Sequence, residues 1–308
     1  MIVVLTGGTG GAKLIEGLAA EIDPVGLTII CNTGDDAIFH GLHVSPDIDT
    51  ITYTLAGLND SQKGWGIAGD SFVVLEQLRK LGNDAWFNLG DKDLATHITR
   101  TRLLREGRTL SEVTDQLRRA LGVRAPILPM SDDRVETRVT TPQGELSFQE
   151  YFVRERWSRE VTAVRFEGAE KGRPAPGVLE AIRDAPAIIV CPSNPITSIG
   201  PILAVPGIRA ALRESTMPVV AVSPIIGAAA FSGPADKLMI AGGLEASALG
   251  VARCYADFLD TLLIAVEDSS LIPAIEQLRI DAVATDIRMP DLAAKRRLAR
   301  RLLALVGK

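Results

Sequence analysis

Cysteine is scarce in this chain: three residues (Cys31, Cys191, Cys254), far apart and without CxxC spacing. That excludes a disulfide framework and a zinc knuckle. Cys31 and Cys191 each end an apolar run, which reads as buried free thiols. The three histidines (His40, His43, His97) show no HExxH or other ligand spacing, and no GxSxG elbow is present. The sequence therefore gives no support for a zinc protease or a serine hydrolase. No stretch approaches the ~20 apolar residues of a membrane span. The opening MIVVLTGG is too short in its apolar part for a signal peptide and lacks a basic flank. A reducing, cytoplasmic setting is expected. Positive charge is not in surplus either: 33 Lys+Arg face 38 Asp+Glu, a net charge of -5. That argues against a general nucleic-acid or anionic-membrane binder.

What is present is ordinary for a globular chain with a real core: 46% hydrophobic and 23% charged residues over 308 positions. Two domains, or one α/β domain with an insertion, fit that length. The acidic excess is local. Residues 1–93 carry a balance of -8, residues 94–177 one of +3, and residues 178–308 none.

Short β-branched runs alternate with amphipathic segments. Ile2–Leu5, Leu27–Cys31, Ala187–Cys191, Val219–Val222 and Thr261–Val266 read as strands buried on both faces, with helical patterns between them. This predicts an α/β fold: a doubly wound, mostly parallel Rossmann-like sheet. The expected core is 1–93 with 178–308. Residues 94–177 read as an inserted α+β subdomain, with one helix expected to begin at Ser111 and a turn at Pro142-Gln143-Gly144. The final helix, Leu292–Leu305, carries Lys295, Arg296, Arg297, Arg300 and Arg301 as a solvated face.

Thr6-Gly7-Gly8-Thr9-Gly10-Gly11-Ala12-Lys13 follows the first strand and opens the first helix. This is where an α/β sheet binds phosphate, on free N–H groups at a helix start. Lys13 stands where GxGxxG has its third glycine, and the GxxxxGK[ST] loop also fails. The pattern predicts phosphate binding by Gly8, Thr9 and Gly10, with Lys13 in reach of a diphosphate. A tight turn without ligand is the plain alternative.

Asn32-Thr33-Gly34-Asp35-Asp36 ends the second strand, where Asn32 or an aspartate suits a ribose or a metal-bound water. In Ser45-Pro46-Asp47-Ile48-Asp49-Thr50, carboxylates at i and i+2 of an extended segment project to one side. Such a pair is unfavourable without a cation, and Mg²⁺ takes one or two carboxylates together with substrate phosphates. Capping of a helix near Thr50 by Asp49 is the alternative. Lys92, between Asp91 and Asp93, suits a phosphate, or either aspartate caps the next helix. Trp65 in Lys63-Gly64-Trp65-Gly66 offers a face to a flat heteroaromatic ring, or anchors the loop.

Three Pro/Gly-rigid loops follow later strands: Pro192–Pro201, Ser223–Gly227 and Ser232–Lys237. The carboxyl ends of strands line the crevice of an open α/β sheet. Ser193 and Asn194 are candidates for reading a base or a phosphate there.

Taken in order, Gly7–Gly10, Ser45–Thr50, Gly90–Asp93, Pro129–Asp133, Ser193–Pro201 and Ser232–Ala235 resemble the 2-phospho-L-lactate transferase family over nearly the whole chain. SNPITSIGP is the most specific string. The resemblance implies a Mg²⁺-dependent transferase of deazaflavin coenzyme F-420 biosynthesis. It would move a phospholactyl or phosphoenolpyruvyl group from a guanosine diphosphate-linked donor to the ribityl chain of 7,8-didemethyl-8-hydroxy-5-deazariboflavin, releasing GMP. It implies that Gly8, Thr9, Gly10 and Lys13 lie near the donor diphosphate. Asp49 and Lys92 would contact the acceptor, with Asp47 close by. Asp47 and Asp49 are the expected metal ligands and Asp49 and Lys13 the expected catalytic pair. A homodimer is usual in the family. One departure is Gly11-Ala12, where many relatives carry Thr-Pro.

Two other readings compete. A nicotinamide-dependent oxidoreductase needs the third glycine and an acidic residue ending strand two, and both are missing. A non-catalytic nucleotide-sugar-binding regulator of the gluconeogenesis-factor type shares the glycine turn and the SNP loop. The 46–50 and 90–93 segments favour the transferase.

Overall fold

The computed structural model describes residues 1–60, 62–227, 229–230 and 233–307. Seven strands form the central sheet: β1 (Ile2–Thr6), β2 (Leu27–Cys31), β3 (Ile127–Pro129), β4 (Ile188–Val190), β5 (Val219–Val222), β6 (Thr261–Ala265) and β7 (Asp281–Thr285). All pair in parallel, in the order β3-β2-β1-β4-β5-β6-β7. The order reverses at β1, which pairs with β2 on one side and β4 on the other. That is the topological switch point at which such sheets bind ligands.

The alternation of side chains builds two cores. Val3 and Leu5 of β1, Ile188 and Val190 of β4, and Leu262 and Ile264 of β6 enter one cluster. Val4, Ile189, Cys191, Leu263 and Ala265 enter the other. Both faces are apolar, so the strands read as continuous hydrophobic runs. The first cluster is covered by helices 178–184, 199–204, 208–213 and 248–255. The second is covered by α1 (Gly8–Ala19), α2 (Pro46–Leu55) and the C-terminal helix Leu292–Val306. A Cβ at Gly17 would strike the carbonyl of Lys295, so glycine there permits α1 and the last helix to touch. The basic residues of that last helix are largely paired. Lys295 binds Glu16, Arg296 and Arg300 bind Glu21, and Arg297 binds Asp286.

Within residues 94–177, Ile127–Pro129 belongs to the central sheet as its edge, paired with β2. Glu136–Thr141, Gly144–Ser147 and Ala163–Glu167 form a separate antiparallel sheet, with the expected turn, Pro142-Gln143 leading into Gly144, between its first two strands. A single π-helical turn, Glu150–Arg154, lies before its last strand. The helix expected at Ser111 begins at Leu110, because Thr109 and Glu112 form a reciprocal capping box. Among the described residues, no helix is long and apolar enough to cross a membrane.

Candidate active site

A cavity of about 290 Å³ opens at the carboxyl ends of β1 and β4. One wall is the glycine turn (Gly7–Gly10) with Pro192, Ser193 and Asn194. A second is the start of α2, with Asp47, Asp49, Thr50 and Tyr53. The third is aromatic: Trp65, Phe87, Phe148 and Phe152. Pro224, Gly233, Pro234 and Ala235 close the far side, while Ser232 lies outside the described residues.

The glycines act in two ways. Gly8 has φ +68°, a conformation that favours glycine. Gly7, Gly10 and Gly11 have no room for a Cβ, which would meet Asp47, the Pro192 carbonyl and Thr6 respectively. The turn is thereby clamped onto the β4 loop, where Ser193 Oγ donates to the Gly7 carbonyl at 2.7 Å. Asn194 Oδ1 accepts from the N–H groups of Ile196 and Thr197, which shapes that loop.

Asp47 does not face Asp49. The segment is helical from Pro46, so residues i and i+2 are turned about 200° apart, not onto one side as an extended chain would place them. Asp49 lies within the first turn of α2 rather than capping a helix at Thr50. Asp47 reaches the glycine turn: its Oδ1 accepts the Gly8 N–H at 2.8 Å and its Oδ2 accepts from Asn32 Nδ2 at 2.9 Å. Asn32 is fully buried behind the cavity and also donates to Asp35 at 3.2 Å. Burial pushes the Asp47 carboxyl up to about 6 against its two hydrogen bonds. It raises Asp35 well above the usual range, and the charge of Asp47 adds to that. One oxygen of Asp35 has no hydrogen-bond partner.

Asp49 points the other way, to α3 (Asp93–Arg105). Both terminal nitrogens of Arg100 donate to its two oxygens. Arg100 is only 1% exposed. Burial opposes its charge, but Asp49 outweighs that and holds the guanidinium above its usual value. His97 lies between two carboxylates, 3.1 Å from Asp93 and 3.7 Å from Asp49. Tyr53 donates to Asp93 at 2.5 Å. Asp49, Asp93 and His97 are close enough to share a cation. Arg100 already supplies a positive charge to that cluster.

Three of the remaining expected residues, Lys13, Asp91 and Lys92, fall outside the cavity wall. Lys13 is half-buried on α1, and burial, then the charge of Lys295, lower its ammonium. Lys92 Nζ is tied to the carbonyls of Ala68 and Gly69. Asp91 accepts from the N–H groups of Val73 and Val74 and so caps helix Val73–Lys80. Asp70 returns the favour, accepting from the N–H groups of Lys92 and Asp93 at the start of α3. Trp65 lines the cavity, 40% exposed, with the Lys63 ammonium 5.8 Å from its ring.

The sequence reading missed Arg100, His97, Tyr53, Phe148 and Phe152. Asp93, His97 and Arg100 recur at i, i+4 and i+7, a polar stripe on one helix face that could have revealed them.

The profile of the family described as "2-phospho-L-lactate transferase CofD" matches residues 2–299. The chain is 47% identical to a protein of Streptomyces griseus named phosphoenolpyruvate transferase, covering 99% of this chain and 98% of that one. It is 44% identical to a protein of Methanothermobacter thermautotrophicus named 2-phospho-L-lactate transferase, covering 98% and 97%. A solved structure of a UPF0052 family member from Bacillus halodurans superposes with a TM-score of 0.66 over 98% of each chain. At 18% identity, that likeness concerns the fold alone.

Proposed function

The chain belongs to the 2-phospho-L-lactate transferase CofD family, and from that premise we propose the reaction it catalyses. It transfers a phospholactyl or phosphoenolpyruvyl group from a guanosine diphosphate-linked donor to 7,8-didemethyl-8-hydroxy-5-deazariboflavin. GMP leaves, and the product is coenzyme F-420-0 or its dehydro form. Relatives named for either three-carbon acid are similarly close, so identity does not choose between them.

One observation carries this reading. A single cavity joins a glycine turn at the switch point to an aromatic wall, with buried carboxylates between them. The glycine turn suits the diphosphate, since N–H groups at a helix start lack intrahelical acceptors. The aromatic wall suits the deazaflavin ring. Trp65 belongs to that wall, and Asp91 and Lys92 support the acceptor side by fixing the 68–74 loop.

For Mg²⁺ the fitting donors are Asp47 and Asp35. They are buried side by side, share the Asn32 amide, and leave one oxygen without a partner. Asp49 fits less well, since Arg100 holds both its oxygens. When bound, Mg²⁺ would neutralise charge on the phosphate oxygens.

In the transfer, the terminal ribityl hydroxyl bonds to the donor phosphorus distal to guanosine, and the bridging P–O bond breaks. Positioning dominates the barrier. Asp49 keeps lone pairs beyond those given to Arg100 and uses one to orient the hydroxyl and take its proton. Such a role is worth ~10²–10⁴-fold. The first-turn N–H groups of Thr9 and Gly10 receive the leaving phosphate. Lys13, on the same helix but not among the residues lining the cavity, supports that charge from behind the turn. Family resemblance further supports a cytoplasmic homodimer.

The test is mass spectrometry of the product from purified protein, deazaflavin, Mg²⁺ and a panel of guanylated donors. The expected result is one F-420-0-type phosphodiester with GMP. No product from any donor overturns the reading. Wild-type turnover by Asp49→Asn at saturating Mg²⁺ removes Asp49 from the chemistry.

A further inference from the structure

The inserted segment makes its own contribution to the cavity. Phe148 precedes the π-helical turn Glu150–Arg154 and Phe152 lies within it, and both line the cavity. A π turn is wider than an α turn and is common at functional sites. Here the two rings lie nearly parallel, 15° apart with centroids separated by 5.4 Å. Trp157 continues the row behind Phe152, at 5.0 Å and 27°.

The row is held in place from several sides. Tyr151, between the two phenylalanines, is fully buried and packs with Val139 and Leu238. Gln149 donates to the Asp35 carbonyl. Arg156 and Trp157 both have positive φ, +48° and +44°, although neither is glycine. Lys237 Nζ donates to the Trp157 carbonyl and holds that bend. Left-handed backbone at two successive bulky residues persists only where surrounding structure enforces it, and such strain clusters at ligand clamps.

Phe148 and Phe152 are half-buried, with one side on the subdomain core and the other toward the cavity. Among the described residues, Phe152 is the one aromatic stacked on Phe148. Both rings line the cavity, so a flat ligand held there can meet them. Trp65 lines the same cavity, on a segment whose Gly64 lies against Thr9 of the glycine turn.

We propose that the Phe148–Phe152 row, braced by Trp157, is the platform on which the flat tricyclic ring of the acceptor stacks. The inserted segment then selects the acceptor, while the seven-stranded sheet holds the donor. This rests on the transferase reading above. A stacking platform contributes to the affinity of a ligand whose π-face lies on it and nothing to a diphosphate held at the glycine turn.

The experiment measures the affinity of 7,8-didemethyl-8-hydroxy-5-deazariboflavin from its absorbance and fluorescence changes, and of GDP with Mg²⁺ by calorimetry. The proteins are wild type, Phe148→Leu, Phe152→Leu and Phe152→Tyr. The leucine variants keep apolar bulk and lose the ring. They should bind the deazaflavin ~10–100-fold more weakly, as loss of an aromatic stacking partner does, with GDP affinity within twofold of wild type. Phe152→Tyr keeps the ring and should bind like wild type. Deazaflavin affinity within twofold of wild type in both leucine variants overturns the platform. So does equal weakening in Phe152→Leu and Phe152→Tyr, or a parallel loss of GDP binding. Failure of the wild-type protein itself to bind the deazaflavin overturns the acceptor reading, and the platform with it.

Discussion

Asp49 accepts from both terminal nitrogens of Arg100, so a carboxylate on the cavity wall is held by a guanidinium that is itself buried. The two residues lie on α2 and α3, and their pairing locks those helices together at the site. Removing one partner leaves a buried charge without compensation. Arg100→Met should therefore destabilise the fold by about 3–5 kcal/mol. The double variant Asp49→Asn, Arg100→Met should recover part of that loss. Denaturant unfolding of the single and double variants measures both, and a cost below about 1 kcal/mol for Arg100→Met contradicts the claim.

The pH dependence of cation binding follows from Asp47. Its carboxyl is pushed up to about 6 by burial, so the folded protein holds a proton there below that pH. A cation needs the ionised form and must displace the proton. Mg²⁺ affinity should fall as pH drops through about 6, and binding near pH 6 should release protons. Calorimetry in buffers of different ionisation enthalpy counts them. Binding without proton release at pH 6 removes Asp47 from the cation site.

The glycine turn makes a contrasting pair of predictions. Gly10→Ala drives a methyl group into the Pro192 carbonyl and must push the turn away from the β4 loop. GDP affinity should drop at least tenfold. Gly26→Ala meets no atom within 4 Å, and it should leave both GDP affinity and stability near wild type, within about 0.5 kcal/mol. Equal behaviour of the two variants in GDP titration contradicts the clamped geometry.

Asp70 and Asp91 cap each other's neighbouring helix. Asp70→Ala should cost about 1 kcal/mol, the usual loss for a helix cap. The amides of Lys92 and Asp93 should then exchange with solvent faster, while those of Val73 and Val74 change less. Exchange measured by NMR or mass spectrometry distinguishes this from a global loss of stability, in which all four would move together.

Much of the fold was readable along the chain. β1, β2, β4, β5 and β6 are short β-branched runs buried on both faces, and local pattern suffices to find such strands. Ile127–Pro129 was harder to place. Three residues with a proline are too few for periodicity to report, and their membership of the central sheet depends on pairing with β2, about a hundred residues earlier. The Ala37–Phe39 and Leu42–Val44 hairpin was missed for the same reason, although the His40-Gly41 turn between them, with both residues at positive φ, had a glycine to announce it.

The sequence by itself determined the α/β class, the glycine turn after the first strand, and the concentration of acid in the first third of the chain. These depend on residue type and near-neighbour spacing, which backbone geometry translates directly into structure. Only the tertiary structure decided what each carboxylate does. Asp47 turns to the Gly8 N–H and Asn32, Asp49 to Arg100, Asp91 to the amides of another helix, and Asp35 is left with an oxygen unpaired. A buried carboxylate takes its role from the donors that surround it, and in this protein those donors come from distant parts of the chain.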